Sequence, residues 1–268
     1  MRQEDDFFDS SFGTLRRLSW RNRRLGWLTD SLFDSRLRLN RTRRSLRTSI
    51  DASPVQDVLI VGIEVPDRAA DIHAVIDALS RTRHRIEVAL VKMQPRGKFE
   101  NVNAAIAEVD LARFDWMVVV DDDIAAPPGL LDECLRLSHA AVLKIFQPAH
   151  RFRSYATFKL TQRRWNTLLR ITRFVESGPL TGFHRDTFDA LLPFPSMRWA
   201  WGLDVHWSEI ARREGWNIGI VDSVPIRHLR PIAASYGFFT AMDEARAFLQ
   251  AQGISRPKED ILCTVRAI

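Results

Sequence analysis

Residues 116–123, WMVVVDDD, place five apolar residues directly before three consecutive aspartates. A stretch that is apolar at every position suits a strand covered on both faces. Three adjacent carboxylates repel one another and resist burial. The strand must therefore stop where its acids reach water, a cation or hydroxyl groups. A second reading makes the acids a turn that caps the next helix, with Asp123 near its start and Pro127 and Pro128 in its first turn.

The sequence on either side has the texture of an alternating α/β domain. A buried strand is expected at 55–64 (VQDVLIVGIE), a helix at 67–81 through Ala70, His73, Val75, Ile76 and Leu79, a strand at 85–93 and a helix at 101–109. Strands separated by single helices imply a mainly parallel sheet with crossovers. Ligands of such sheets gather at the carboxyl ends of the strands. Three tips qualify: Gly62 to Glu64, Gln94 to Lys98, and Asp121 to Asp123. Further on, the expectations are a helix at 128–140, a strand at 142–147, and a strand, glycine turn and continuation over 174–183. A short helix at 185–192 follows. Residues 199–213 read as a turn at Gly202 and a helix with Asp204 at its start, where the helix dipole favours a negative charge. A short strand at 218–221, a turn at 222–225 and Ile226 to His228 come next, then an amphipathic helix at 240–252 ended by Gly253.

At 268 residues and 46% hydrophobic content, the chain can bury one large core or two small ones. No apolar run approaches the roughly 18 residues needed to span a bilayer, and the opening MRQEDD lacks the order of a signal peptide, so a cytoplasmic protein is expected. Cys134 and Cys263 are read as reduced thiols without function. The net charge of +6 resides wholly in residues 1–50, which hold twelve arginines against six acids; the other 218 residues carry 27 charges of each sign. A nucleic-acid footprint over the whole domain is thereby excluded.

In that N-terminal segment Leu18, Leu25, Leu32, Leu39 and Leu46 recur every seven residues, with Leu15, Leu28 and Phe33 beside them. The spacing draws an apolar stripe along helix, with a break expected near 29–34 and Asp30 or Ser31 as N-cap. The stripe packs on the body or a second subunit, or it rests on an anionic membrane surface through residues 15–47, or it binds nucleic acid locally. A second basic region lies at 134–175, which contains nine Lys and Arg and no acid. It is either a solvated face or a surface for a phosphate-bearing acceptor or membrane.

The order of Asp121-Asp122-Asp123, the glycine turn from Gly178 to Gly182, Gly202-Leu203-Asp204 before a helix, and a late His228 resembles the GT-A glycosyltransferase core. In that fold the corresponding features are the DxD motif, the glycine loop, the acidic catalytic position and the C-terminal metal-binding histidine. Gly97-Lys98 with FENVNAAI at 99–106 resembles a segment of family 2 transferases. Trp201 to Asp204, Ile218 to Asp222 and His228 are also similar to a group of plant and bacterial proteins thought to share the fold. The likeness covers about residues 55–231. It departs from the family pattern where Leu203, not an acid, precedes Asp204.

The resemblance implies a Rossmann-like catalytic domain over 51–268, with a donor half at 55–125, an acceptor half at 126–231, a helical tail at 232–268, and residues 1–50 as a basic extension. It implies a nucleoside diphosphate sugar as donor, Mn²⁺ or Mg²⁺ as cofactor, and a hydroxyl acceptor that is a glycan, lipid-linked or phosphate-bearing. Asp123, Asp121 and His228 are the expected metal ligands. Asp121 or Asp122 meets the donor's ribose or sugar. Gly62, Glu64, Lys98, Asn101, Asn103 and Gly182 line the nucleotide site, with Lys98 or Arg96 on phosphate. Asp204 is the expected general base of an inverting transfer, although it serves equally as an N-cap. Trp199, Trp201 and Trp207 suit either sugar stacking or core packing. The rival functions are a retaining transferase, a metal-dependent nucleotidyltransferase, and a non-enzymatic module binding anionic lipid or polymer.

Overall fold

The computed structural model describes residues 20–40, 53–231 and 237–268. One mixed sheet organises the body. Strand β1 (Asp57–Glu64) lies between β2 (Arg85–Lys92) and β3 (Trp116–Val120), and all three are parallel. Beyond β3 come β7 (Leu180–His184), β5 (Leu143–His150), β8 (Asn217–His228), β6 (Leu169–Thr172) and β9 (Thr264–Ala267). Only β7, β6 and the two-residue β4 (Ile124–Ala125), which pairs with β8, run against the common direction, so the sheet is mostly parallel by strand sense.

Burial follows the pleat. Val58, Ile60, Trp116, Val118 and Val120 enter one apolar layer, with Ile72 and Leu79 of helix α2 (Ala69–Ser80) and with helix α4 (Leu130–Ala141). Leu59, Val61, Met117 and Val119 enter the other, with Phe99 and Val102 of α3 (Lys98–Ile106) and Leu203 and Trp207 of α6 (Leu203–Arg213). Successive residues face opposite sides, and helices cover both, which is why these strands carry no polar alternation. Trp207 is fully buried against Phe99, Phe183 and Phe194, so it belongs to the core. A short helix α5 (Phe188–Leu191), the tail helix α7 (Phe238–Ala251) and a final turn of helix α8 (Lys258–Ile261) complete the body.

Three expectations need correction. The turn expected at 222–225 is absent, and β8 runs unbroken for twelve residues. Its polar stretch is tolerated inside because Asp222 accepts from Arg170 Nε at 2.7 Å and Nη2 at 2.9 Å and from the Arg164 amide at 2.8 Å. A local irregularity, in which the Leu168 carbonyl accepts from both Asp222 and Ser223, absorbs the extra residues.

The break expected at 29–34 is also absent: α1 (Trp20–Arg38) is continuous. Thr29, Ser31 and Ser35 return their hydroxyls to carbonyls one turn back, so none competes with the helix. Nor does the leucine stripe pack on the body. Gly26, Asp30 and Leu37 are the buried positions, while Leu25, Leu28, Leu32 and Leu39 are exposed. Leu18 and Leu46 lie outside the described residues. Asp30 accepts from the Phe152 amide and pairs with Arg163, Asp34 pairs with Arg163 and Arg151, and Phe33 meets Phe152 and Trp165 edge to face.

Finally, the acid-free stretch 134–175 is a free cationic surface only in part: Arg153, Lys159, Arg164 and Arg173 are exposed, and the other five cations are paired. Arg136 pairs with Glu133, Lys144 with Asp186, Arg151 with Asp34, Arg163 with Asp30 and Asp34, and Arg170 with Asp222. Except for Glu133, which lies on the same helix as Arg136, the acids come from other elements, which no count along the sequence could reveal.

Candidate active site

The acids at the end of β3 are placed by main-chain pairing. After Asp123 the chain forms β4 (Ile124–Ala125), which pairs antiparallel with the end of β8, Ile124 opposite His228. The Leu229 amide donates to the Asp123 carbonyl at 2.8 Å. This ladder brings His228 Nε2 to 3.1 Å from Asp123 Oδ2. On the other side, the Asp121 amide donates to the Pro179 carbonyl at 2.8 Å, which seats the glycine turn beside the acids.

Each aspartate has its own cation. Asp121 meets Lys98 Nζ at 2.7 Å; Asp122 meets Arg68 and Arg230, each at 3.2 Å; Asp123 meets His228. Lys98 can reach because α3 begins three residues earlier than the sequence pattern suggested. Its cap, Gly97, lies so close to Met197 that an added Cβ would stand 1.9 Å from the Met197 carbonyl oxygen. Burial raises the Asp122 carboxyl above its ordinary range, against the pull of the two guanidinium groups. Burial acts the same way on Asp123, but the hydrogen bond and charge of His228 prevail and hold it low. Burial would lower the His228 imidazole, and Asp123 instead raises it.

Across the crevice, Gly202 (φ 91°) turns the chain into α6 and sets Asp204 in its first turn, 5% exposed. Its carboxyl rises to about 7, chiefly through burial and then through the charge of Glu176; amide hydrogen bonds, including one from Val205, oppose the rise. Glu176 is itself buried. It accepts from the Thr157 amide and the Thr161 hydroxyl and lies 3.5 Å from His150 Nε2. Burial raises Glu176, but His150 and Thr157 outweigh burial and keep it ionised.

The crevice holds about 640 Å³ and is lined by Lys98, Asn101, Asp121, Asp122, Asp123, Asp204 and His228 among the residues singled out from sequence, with Arg96, Trp199 and Trp201. Four others stand elsewhere. Gly62 lies within β1, where a Cβ would meet Leu90 at 2.9 Å. Glu64 turns to His73 at 3.3 Å. Gly182 lies under Phe146, whose ring would be 2.2 Å from a Cβ. Asn103 exchanges two hydrogen bonds with the Phe194 backbone. Asn101 borders the crevice, but its amide is spent closing the 94–97 loop through Gln94, Arg96 and Gly97.

Sequence reasoning passed over Arg68, Glu176, Arg198 and Arg230, all of which line the crevice. Glu176 stands two residues before the glycine turn and Arg230 two residues after His228, so their proximity to recognised motifs was the available signal.

Among the described residues no three His, Cys, Asp or Glu converge as a ready-made metal cage. The Asp123–His228 pair nevertheless offers one hard oxygen and one imidazole at the crevice wall, and ions that bind substrate phosphates commonly take only one or two protein carboxylates. The donor set thus fits Mn²⁺ or Mg²⁺ shared with a phosphate ligand. Asp121 is turned to Lys98 and is not part of that pair.

No protein-family profile matches the chain, and no curated protein matches it by sequence. Solved structures do. A mannosyltransferase from Pyrobaculum calidifontis, in complex with GDP-Man and Mn²⁺, superposes with a TM-score of 0.52 at 15% identity, over 90% of this chain and 77% of that one. GalNAc-T7, solved with UDP, GalNAc and Mn²⁺, gives 0.51 at 8% identity over 75% of this chain; the match spans about half of that protein, 48%. The fold is GT-A. The three acids at the β3 tip share one crevice with Asp204 of α6 and His228 of β8. No helix among the described residues is long and apolar enough to cross a membrane.

Proposed function

We propose that the protein transfers a sugar from a nucleoside diphosphate donor to a hydroxyl acceptor, with metal assistance and inversion at the anomeric carbon. The observation that carries this reading is the placement of Asp204, with a carboxyl at about 7, in one crevice with the β3 acids and His228. A base works best when its pKa lies near the working pH. Ionised Asp204 takes the proton of the acceptor hydroxyl as that oxygen bonds to the anomeric carbon. The bond from that carbon to the diphosphate breaks, and the diphosphate departs with the electron pair.

A divalent ion held by Asp123 and His228 would neutralise the charge that develops on the leaving group. Lys98, Arg68 and Arg230, now paired with Asp121 and Asp122, bring three cations to the same edge. Glu176 replaces the acid missing at 203: its negative charge beside Asp204 keeps the proton affinity of the base high. Trp199 and Trp201 line the same crevice as Asp204, and aromatic rings suit sugar C–H faces. The neighbours solved with nucleotide, sugar and Mn²⁺ support the donor class.

The test is a panel of nucleotide sugars scored by thermal shift with and without Mn²⁺, since a ligand of the native state raises its melting temperature. At least one nucleoside diphosphate sugar should give a Mn²⁺-dependent shift, and the Asp204→Asn protein should keep that shift while losing transfer. A panel without any Mn²⁺-dependent shift would overturn the proposal.

A further inference from the structure

The outward face of α1 carries exposed leucines. Leu25, Leu28, Leu32 and Leu39 project from the side opposite Gly26, Asp30 and Leu37, and they are 43 to 63% exposed. At 100° per residue Leu25, Leu28 and Leu32 fall within one narrow stripe, and Leu39 follows in the turn just past the helix. The two acids of the helix, Asp30 and Asp34, are both turned to the body and consumed by Arg163 and Arg151. Arg36 and Arg38 are exposed. The free face is therefore leucine bordered by positive charge, with no acid on it.

That charge pattern decides between occupants. A second copy of this chain would bring arginine against arginine, with no acid on either helix face to pair across the seam, and Ser35 interrupts the heptad where a leucine would be needed. An anionic bilayer supplies both the apolar phase for the leucines and the negative charge for the arginines.

We infer that α1 docks on an anionic lipid surface through Leu25, Leu28, Leu32 and Leu39. The helix is tied to the active-site end of the sheet. Asp30 holds the Phe152 amide, the Arg151 amide donates to the Ile226 carbonyl at 2.9 Å, and the Tyr155 amide donates to the His228 carbonyl at 3.2 Å. One segment, 151–155, thus links the lipid-facing helix to the histidine of the crevice.

The test is co-sedimentation of the full chain with vesicles of phosphatidylcholine alone and of phosphatidylcholine mixed with phosphatidylglycerol. The wild type should sediment only with the mixed vesicles. The L28S/L32S protein keeps every arginine, so its partition reports leucine insertion rather than charge attraction; it should fall on the order of tenfold or more. Both residues are exposed, so the melting temperature should be unchanged, and the single Leu32→Ser variant should give an intermediate partition. Wild type that stays in the supernatant with anionic vesicles, or a double variant that sediments as well as wild type, overturns the inference. So does light scattering that shows a wild-type dimer dissolved by L28S/L32S, which would assign the stripe to a second copy.

Discussion

Asp204→Asn separates the stability of this fold from its chemistry. Burial and Glu176 carry the Asp204 carboxyl from 3.8 to about 7. A carboxyl raised in the folded state favours folding fully below its unfolded value, and that contribution is lost as pH rises through the folded value. By pH 8 the ionised group costs the folded state roughly 4 kcal/mol relative to pH 3, of which roughly 3 kcal/mol falls between pH 5 and pH 8. Asparagine has the same shape, keeps an oxygen for the Val205 amide and carries no charge.

For a chain of this size each kcal/mol moves the melting temperature by about 2 to 4 °C. The melting temperature of the variant minus that of wild type should therefore grow by roughly 6 to 12 °C from pH 5 to pH 8. Other titrating groups are common to both proteins and largely cancel in the difference. The assay is paired thermal melts across that range, with sugar transfer measured on the same samples. A difference that stays flat with pH would refute the claim that Asp204 is held protonated by burial; a variant that gains stability and keeps full transfer would refute its role as base.

Three further outcomes follow from the geometry. Asp123→Ala and His228→Ala should each abolish the Mn²⁺-dependent part of the thermal shift with nucleotide sugar, because each removes half of the donor pair; an undiminished shift in both removes the metal from this edge. Gly182→Ala should destabilise by about 1 to 3 kcal/mol in denaturant titration, since its methyl would enter the Phe146 ring, and a neutral result would mean that the ring moves freely. Asn103→Ala should cost roughly 1 to 3 kcal/mol through the unpaired Phe194 backbone groups while leaving nucleotide-sugar binding intact; lost binding would return Asn103 to the donor site.

The parallel half of the sheet was legible because β1 and β3 are covered on both faces, and uninterrupted apolar runs announce that condition. The second half was harder for a specific reason. The run from Asp222 to Pro225 looks like a turn unless one knows that Arg170, 52 residues earlier, neutralises Asp222 inside the core. The leucine heptad of α1 marked a real stripe but not the face it occupies, because the body selects Asp30 and Asp34 through partners at 151 and 163 that no periodicity encodes. The β3 acids, Lys98, Asp204 and His228 were singled out from motifs and their order along the chain, and the fold gathers them in one crevice. Arg68, Glu176 and Arg230 enter the crevice through loop geometry alone, while Gly62, Gly182 and Asn103 carry family-like residue types in packing roles.

The short ladder between β4 and β8 separates position from chemistry. The pairing of Ile124 with His228 and the bond from the Leu229 amide to the Asp123 carbonyl use only main-chain atoms. The spacing of the two Cα positions is therefore independent of the side chains they bear. Positions 123 and 228 form a socket: a carboxylate in place of the imidazole, or an amide in place of the carboxylate, would change which ion is preferred without moving the frame that presents it. An ion held there as proposed would be selected by these two side chains, and the backbone beneath them is free to host others.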